Sequence, residues 1–175
     1  MNLTPAVEKY VLHWGEMGTR WGTNRTVAQI QALLYLSPQP LRADEIVDLL
    51  SVARSNVSTS IRELQSYGLV KMTHMLGDRR DYFESLSDVW DLFRVIIEQR
   101  KQRELNPTLS MLRVVAVEVV DEKETDPITK ERIQNMLQFV ETTSNWYEKI
   151  QAIPTSTLQK IMKLGAGITK FVKKG

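Results

Sequence analysis

The hydrophobic period of the chain changes at Gly68, and that change limits the fold more than any other feature. Before it, apolar residues recur at helical spacing. Ile46, Leu49 and Leu50 share one face of a segment from Arg42 to Leu50, and Val57, Ile61 and Leu64 form the inward stripe of Arg54 to Tyr67. A short break at Ser51 to Ala53 separates them, and Gly68 stands where a helix end wants a left-handed residue. After it, Leu69 to Met75 alternates in part, Gly77-Asp78 reads as a turn, and Asp81 to Leu86 reads as the returning strand. Two short helices on a tight turn followed by a hairpin give the order of a winged helix-turn-helix.

Helices flank this module on both sides. Thr4-Pro5 is an N-cap with Pro at the first helical position, and Val7, Tyr10, Val11, Trp14, Met17 and Trp21 follow at helical spacing. Gly15, Gly18 and Gly22 interrupt that run and are expected to end the helix early. Thr26 to Leu36 forms the next helix, closed by Ser37, Pro38 and Pro40. Downstream, a helix is expected from near Ser87 with Val89, Leu92, Phe93 and Ile96 inward. Asn106-Pro107 and Asp126-Pro127 each read as an N-cap with Pro at the first helical position, and Pro154 separates a last short helix. Val114 to Val120 is apolar on nearly all sides. A strand is one reading, but the upstream cap favours a buried helix, which needs contacts on two sides. A dimer interface would supply the second. The expected architecture is mainly α with a small β-hairpin wing. Residues 1–22 form an N-terminal helix of the dimerisation region, 23–86 the winged helix-turn-helix, and 87–175 a C-terminal helical dimerisation region.

Composition removes several functions. The chain has no cysteine, so disulfides, thiolate metal sites and cysteine nucleophiles are excluded. No uncharged apolar run reaches the length of a membrane span, and Glu8 and Lys9 stand where a signal peptide needs apolar residues; a cytoplasmic protein is expected. His13 and His74 are far apart and carry no metal-ligand spacing, so no metal or cofactor is expected. Phosphate-cradling glycine loops and nucleophile elbows are missing; Gly165-Ala166-Gly167 has no Lys-Ser or Lys-Thr after it. Pairs such as Asp44-Glu45 fit exposed helix starts. Nothing points to an enzyme. The net charge of +2 is too small to signal nucleic acid. Beyond Glu148 the charges are all basic (Lys149, Lys160, Lys163, Lys170, Lys173, Lys174), and a solvated face outweighs a DNA-touching tail as the explanation.

The outward face of Arg54 to Tyr67 carries the functional signal. Arg54, Ser55, Asn56, Ser58, Thr59 and Arg62, with Gln65, are small or hydrogen-bonding side chains that let a helix sink into a groove about 12 Å wide. Arginine pairs with guanine edges, asparagine with adenine, and hydroxyls serve phosphates. A merely solvated face would hold more Lys and Glu, which are better helix formers. Arg79 and Arg80 at the hairpin tip suit a narrow minor groove, with Asp78 or Asp81 holding one of them. The plainer reading of the tip, a polar turn with local ion pairs, loses weight once the preceding helices are counted.

The stretches Arg25 to Leu34, Ala43-Asp44-Glu45-Ile46, Arg54 to Leu64 and Gly77-Asp78-Arg79-Arg80-Asp81-Tyr82-Phe83-Glu84 resemble the GbsR branch of the MarR-type regulators. Met17 to Gly22 is similar as well; the C-terminal half matches in helical character only. The resemblance implies a homodimeric winged-helix regulator that dimerises through terminal helices on a pseudopalindromic operator. It implies DNA contacts at Ser55, Asn56, Ser58, Thr59, Arg62, Arg79 and Arg80, and response to choline or a related osmolyte in some members. Ala53 and Arg42 replace the usual capping hydroxyls of two helices.

Double-stranded DNA and a second copy of the chain are therefore the expected partners, with a small-molecule effector as a third. Trp14, Trp21 and Trp90 are the candidate effector contacts, through cation–π attraction to a quaternary ammonium. Core or interface packing outweighs that reading for Trp14 and Trp21. The rival from another class is a winged-helix protein-interaction module, which should expose apolar residues where this chain has the polar face of Arg54 to Tyr67 and the wing arginines.

Overall fold

The computed structural model describes residues 1–172, with side chains to Leu164. Lys173 and Lys174, and the Lys170 side chain, lie outside the described residues; Lys149, Lys160 and Lys163 are exposed. The chain divides into two units, Met1–Ile96 and Ile97–Gly175.

The first unit holds α1 (Pro5–Arg20), α2 (Arg25–Leu36), β1 (Leu41–Arg42), α3 (Ala43–Leu50), α4 (Arg54–Ser66), β2 (Val70–His74) and β3 (Asp81–Ser85), with the start of α5 (Val89–Arg100). Its core joins Ile30 and Leu33 of α2, Ile46 of α3 and Val57, Ile61 and Leu64 of α4 to Leu69, Val70 and Phe83 of the sheet region. Leu92, Val95 and Ile96 of α5 pack on its edge. The helix starts follow from local chemistry. Thr4 accepts from the Val7 amide, and Asn24 accepts from the Thr26 amide at 2.8 Å. Arg42 has no acceptor to offer α3, but the Glu45 carboxylate accepts from the Arg42 amide at 2.8 Å, so half of a capping box survives the missing hydroxyl. The Asp88 carboxylate accepts from the amides of Trp90 and Asp91 at 2.7 and 3.1 Å and opens α5.

The wing is part of a three-stranded antiparallel sheet of order β1-β3-β2. Leu41 pairs with Phe83 and Arg42 with Tyr82, while β2 and β3 run in register from Val70↔Ser85 to His74↔Asp81. The added strand β1 is two residues long, too short to show a period in sequence.

Gly15 and Gly18 do not end α1. Both are buried inside it and let α2 approach closely. A Cβ on Gly18 would stand 2.4 Å from the Ala28 Cβ, and one on Gly15 would stand 2.6 Å from the Gln29 Cγ. Gly22, at φ +75°, terminates the helix as expected of a left-handed glycine.

In the second unit, five residues in a wider i→i+5 turn (Lys101–Leu105) lead into α6 (Asn106–Asp121), followed by α7 (Pro127–Gln151) and α8 (Thr155–Val172). Asn106 is therefore not an N-cap. Its backbone is helical, and its amide bonds the Lys101 carbonyl five residues back. The wide turn admits Pro107, which lacks an N–H and whose ring crowds the preceding turn of an α-helix. Asp126 does cap α7, accepting from the Thr129 amide at 3.0 Å. Leu109 and Leu112 of α6 pack on Val140 of α7, with Leu105 and Leu137 beside them. Arg113–Glu141 at 2.9 Å and Gln134 Nε2 donating to the Ala116 carbonyl at 3.0 Å tie the pair together. Val114 to Val120 is helical, but its apolar surface is covered on one side only: Ala116 and Val119 are buried, whereas Val114, Val117 and Val120 are exposed. The last helix is longer than expected, at 18 residues.

Two outcomes test this packing. Gly18→Ala should lower unfolding stability by about 1–3 kcal/mol through overpacking, more than the roughly 1 kcal/mol that alanine gains in helix propensity. Gly15→Ala should cost less, because the Gln29 stem can rotate away; urea melts rank the two. Hydrogen bonding to the Thr129 hydroxyl and amide lowers the Asp126 pKa, and the bond to Lys101 lowers that of Glu148. Both contribute stability that is present above the ordinary carboxylate range and lost as pH falls through their lowered values. Acid titration of helicity should therefore show a loss below that range, and Asp126→Asn should make it shallower.

Candidate nucleic-acid interface

Rotation of α4 about its axis decides what it can present. Val57, Ser60, Ile61 and Leu64, at i, i+3, i+4 and i+7, face the core and are buried. Ser55, Thr59 and Arg62 lie opposite that stripe, Asn56 and Ser58 lie on its flanks, and Arg54 stands beside it at the helix start; all six are exposed. Arg62 Nε donates to the Ser58 carbonyl at 3.3 Å, which draws the guanidinium back along the helix. Gln65 is half-buried. No side chain caps the α4 amides at Ala53, so its first-turn N–H groups are free for an outside acceptor such as a phosphate. Ser51, between α3 and α4, takes the left-handed conformation at φ 52° and turns the chain sharply from one helix to the next.

The wing divides its two arginines. Asp78 accepts from the Arg80 amide at 3.0 Å and from Arg80 Nε at 2.8 Å, and also pairs with the end of that guanidinium. The Tyr82 hydroxyl donates to the same carboxylate at 2.8 Å, a bond that raises the tyrosine pKa. Arg80 is thus committed to bracing the turn. Arg79 is exposed and makes no ion pair among the described residues. Asp78 and Arg80 lie in the turn ahead of β3, where no strand alternation applies; the sequence leaves Asp78 and Asp81 as equal candidates to hold an arginine, and the structure gives the role to Asp78. At the strand base, Arg42 pairs with Glu45 at 3.1 Å and Asp44 at 3.4 Å, and Lys71 with Glu84 at 3.1 Å. His74 Nδ1 lies 3.8 Å from Asp81, so Asp81 faces β2 and not an arginine.

Of the tryptophans, the structure brings Trp14 and Trp21 together, with ring centroids 6.0 Å apart in an edge-on arrangement, and Tyr10 lies 5.9 Å from Trp14. Trp90 is half-buried on the first turn of α5. Rings at this separation pack on one another, and Trp14 and Trp21 keep 36% and 47% of their surface exposed. Among the described residues, no group of three or more His, Asp or Glu could hold a metal ion, and no helix is long and apolar enough to cross a membrane.

The two arginines should therefore respond differently in duplex binding. Arg79→Ala should reduce affinity and shrink the slope of log K against log salt by about 1, as for one lost phosphate-level contact. Arg80→Ala should reduce affinity while also loosening the turn, seen as faster amide exchange at Asp78 to Tyr82.

No family model matches the chain. The HTH-type transcriptional repressor GbsR of Bacillus subtilis (strain 168) is 19% identical over 139 residues, which span 78% of this chain and 77% of that protein. The crystal structure of a transcriptional regulator aligns over 84% of this chain and 96% of its own, with a TM-score of 0.65 and 19% identity, and so shares its fold. A further solved structure, transcriptional regulator Tm0710 from Thermotoga maritima, is 17% identical over 80% of this chain and 90% of its own, with a TM-score of 0.37. In sequence the chain is thus similar to GbsR, and in fold to a solved transcriptional regulator.

Proposed function

We propose that the chain is a sequence-specific, double-stranded DNA-binding transcriptional regulator that acts as a homodimer on a pseudopalindromic operator. The observation that carries this reading is the surface of α4: six exposed polar or cationic side chains occupy what its fully buried stripe leaves to solvent. A helix so mounted can enter the major groove, with Asn56 and the arginines reading base edges and the serines and threonine meeting phosphates. A protein-interaction module would present apolar residues here, and α4 presents none outward. Similarity to a named repressor supports the same class.

A dimer is supported by the surface that α6 and α7 leave uncovered. Val114, Val117 and Val120 on α6, and Met136, Phe139 and Trp146 on α7, are all more than half exposed. Apolar surface of this kind marks an interface, and an isologous pairing of two copies would cover both halves at once. Two recognition helices held so would enter major grooves about 34–36 Å apart. Effector control is the finer part of the proposal. A quaternary ammonium would be drawn to the partly exposed Trp14–Trp21 pair, and choline should then quench tryptophan fluorescence with saturation.

Selection from random-sequence duplexes at two salt concentrations tests the main reading. Recovery of a palindromic motif, weakened by salt and by the double variant Arg79→Ala, Arg80→Ala, is the expected result. Weak binding with no enriched motif, indifferent to those changes, would leave the protein-interaction module in front. Val117→Glu should shift the protein to monomer in sedimentation equilibrium and lower operator affinity by about tenfold or more, as expected when a buried apolar contact becomes a buried charge.

A further inference from the structure

Leu76 stands at the extreme of the wing with 107% relative exposure, the highest of any large apolar residue described. A leucine there contributes nothing to the core, and turn tips ordinarily carry polar residues. Its mount is rigid. The Asp78 amide bonds the Met75 carbonyl at 3.0 Å, closing a turn with Leu76 and Gly77 at its centre, and Gly77 takes φ +82°. This is the arrangement of a turn that needs glycine at its third position. Strand pairing reaches His74↔Asp81 directly beneath it, and Asp78 is held from two sides by Arg80 and Tyr82. Met75 is exposed beside Leu76, and the unpaired cation Arg79 follows two residues past Gly77.

We infer that Leu76 is an apolar wedge that the wing inserts between base steps of the minor groove, unstacking and kinking the duplex beside each half-site. The inference rests on the DNA-binding reading above and adds a specificity-determining residue to it. Three observations favour DNA as the occupant. The protruding leucine sits on a braced turn and not on a broad apolar face. The cation next to it, Arg79, is free to meet the negative potential of a minor groove. Phe, Leu, Ile, Met and Pro are the side chains that proteins insert between bases, because burial of the side chain offsets the lost stacking. Pyrimidine–purine steps unstack most readily, so the wedge should impose a preference for TA or CA/TG at positions flanking the motif that α4 reads.

The test uses the full-length protein and a duplex recovered by selection, end-labelled for energy transfer to report bending, with 2-aminopurine placed at the flanking step. Because Leu76 is outside the core, Leu76→Ser should leave the thermal melt unchanged. It should weaken binding by about tenfold, the scale of one lost buried leucine after the unstacking cost is deducted. It should also lower the bend, abolish the rise in 2-aminopurine fluorescence and remove the flanking-step preference while keeping the central motif. Leu76→Met should retain all of these. Arg79→Ala should lower affinity and the salt slope but keep the fluorescence rise. Wild-type-like affinity and bending in Leu76→Ser would overturn the wedge while leaving the DNA-binding reading intact, as would an affinity loss with unchanged 2-aminopurine signal. Failure of the wild-type protein to enrich any duplex would overturn both. Self-association without DNA that Leu76→Ser abolishes would instead assign the tip to a second copy of the chain.

Discussion

Burial of one stripe of α4 governs the rest of the winged unit. Val57 and Leu64 are within 1% of complete burial, and they meet Ile30 and Leu33 of α2 and Ile46 of α3, which are equally closed to solvent. Each fully buried side chain of this kind is worth about 1.5–3 kcal/mol, so rolling α4 by even a fraction of a turn would expose several at once. The helix is thereby locked about its axis. Its polar side chains acquire a defined outward direction from that lock, to which the Arg62 bond to the Ser58 carbonyl adds nothing. Their placement derives from residues that never touch the surface.

The same logic reaches the wing through Phe83 and the three strands. Phe83 anchors β3 in the core, and β1 and β2 pair with it on either side. From that base the hairpin projects, and Asp78 stiffens its end by holding Arg80 and Tyr82. A carboxylate with partners on two sides is more than an ion pair on a surface, because the tyrosine hydroxyl and the Arg80 backbone restrain the same turn. The structure thus separates two roles that adjacent arginines appear to share: Arg80 supports, and Arg79 is free to bind.

The second unit is built on another principle. Its α6 and α7 share a small core of Leu109, Leu112 and Val140, yet carry more apolar surface than that core can cover. Pro107 enters after a wide helical turn, where the sequence alone suggested a capped start. Asn-Pro has the same local chemistry in both settings. Only the chain before it, already helical, decides between a new start and an accommodated proline. Gly15 and Gly18 misled in a similar way. Glycine weakens a helix locally, but a partner helix at 2.4–2.6 Å from the missing Cβ positions makes its smallness the requirement.

By itself the sequence determined the order of elements and the polarity of each face. Hydrophobic period, caps and turn residues are local properties, and they suffice to separate α4's inward stripe from its outward one. The change of period at Gly68 likewise located the hairpin, and Asp126-Pro127 located the start of α7. Tertiary structure decided what depends on distant neighbours: the pairing of Leu41–Arg42 with β3, the tolerance of glycines inside α1, the division of labour between Arg79 and Arg80, and the exposure of Leu76 and of one face of α6. These features arise from which surfaces meet, and two residues of strand or a single carboxylate carry no periodic signal that could announce their partners.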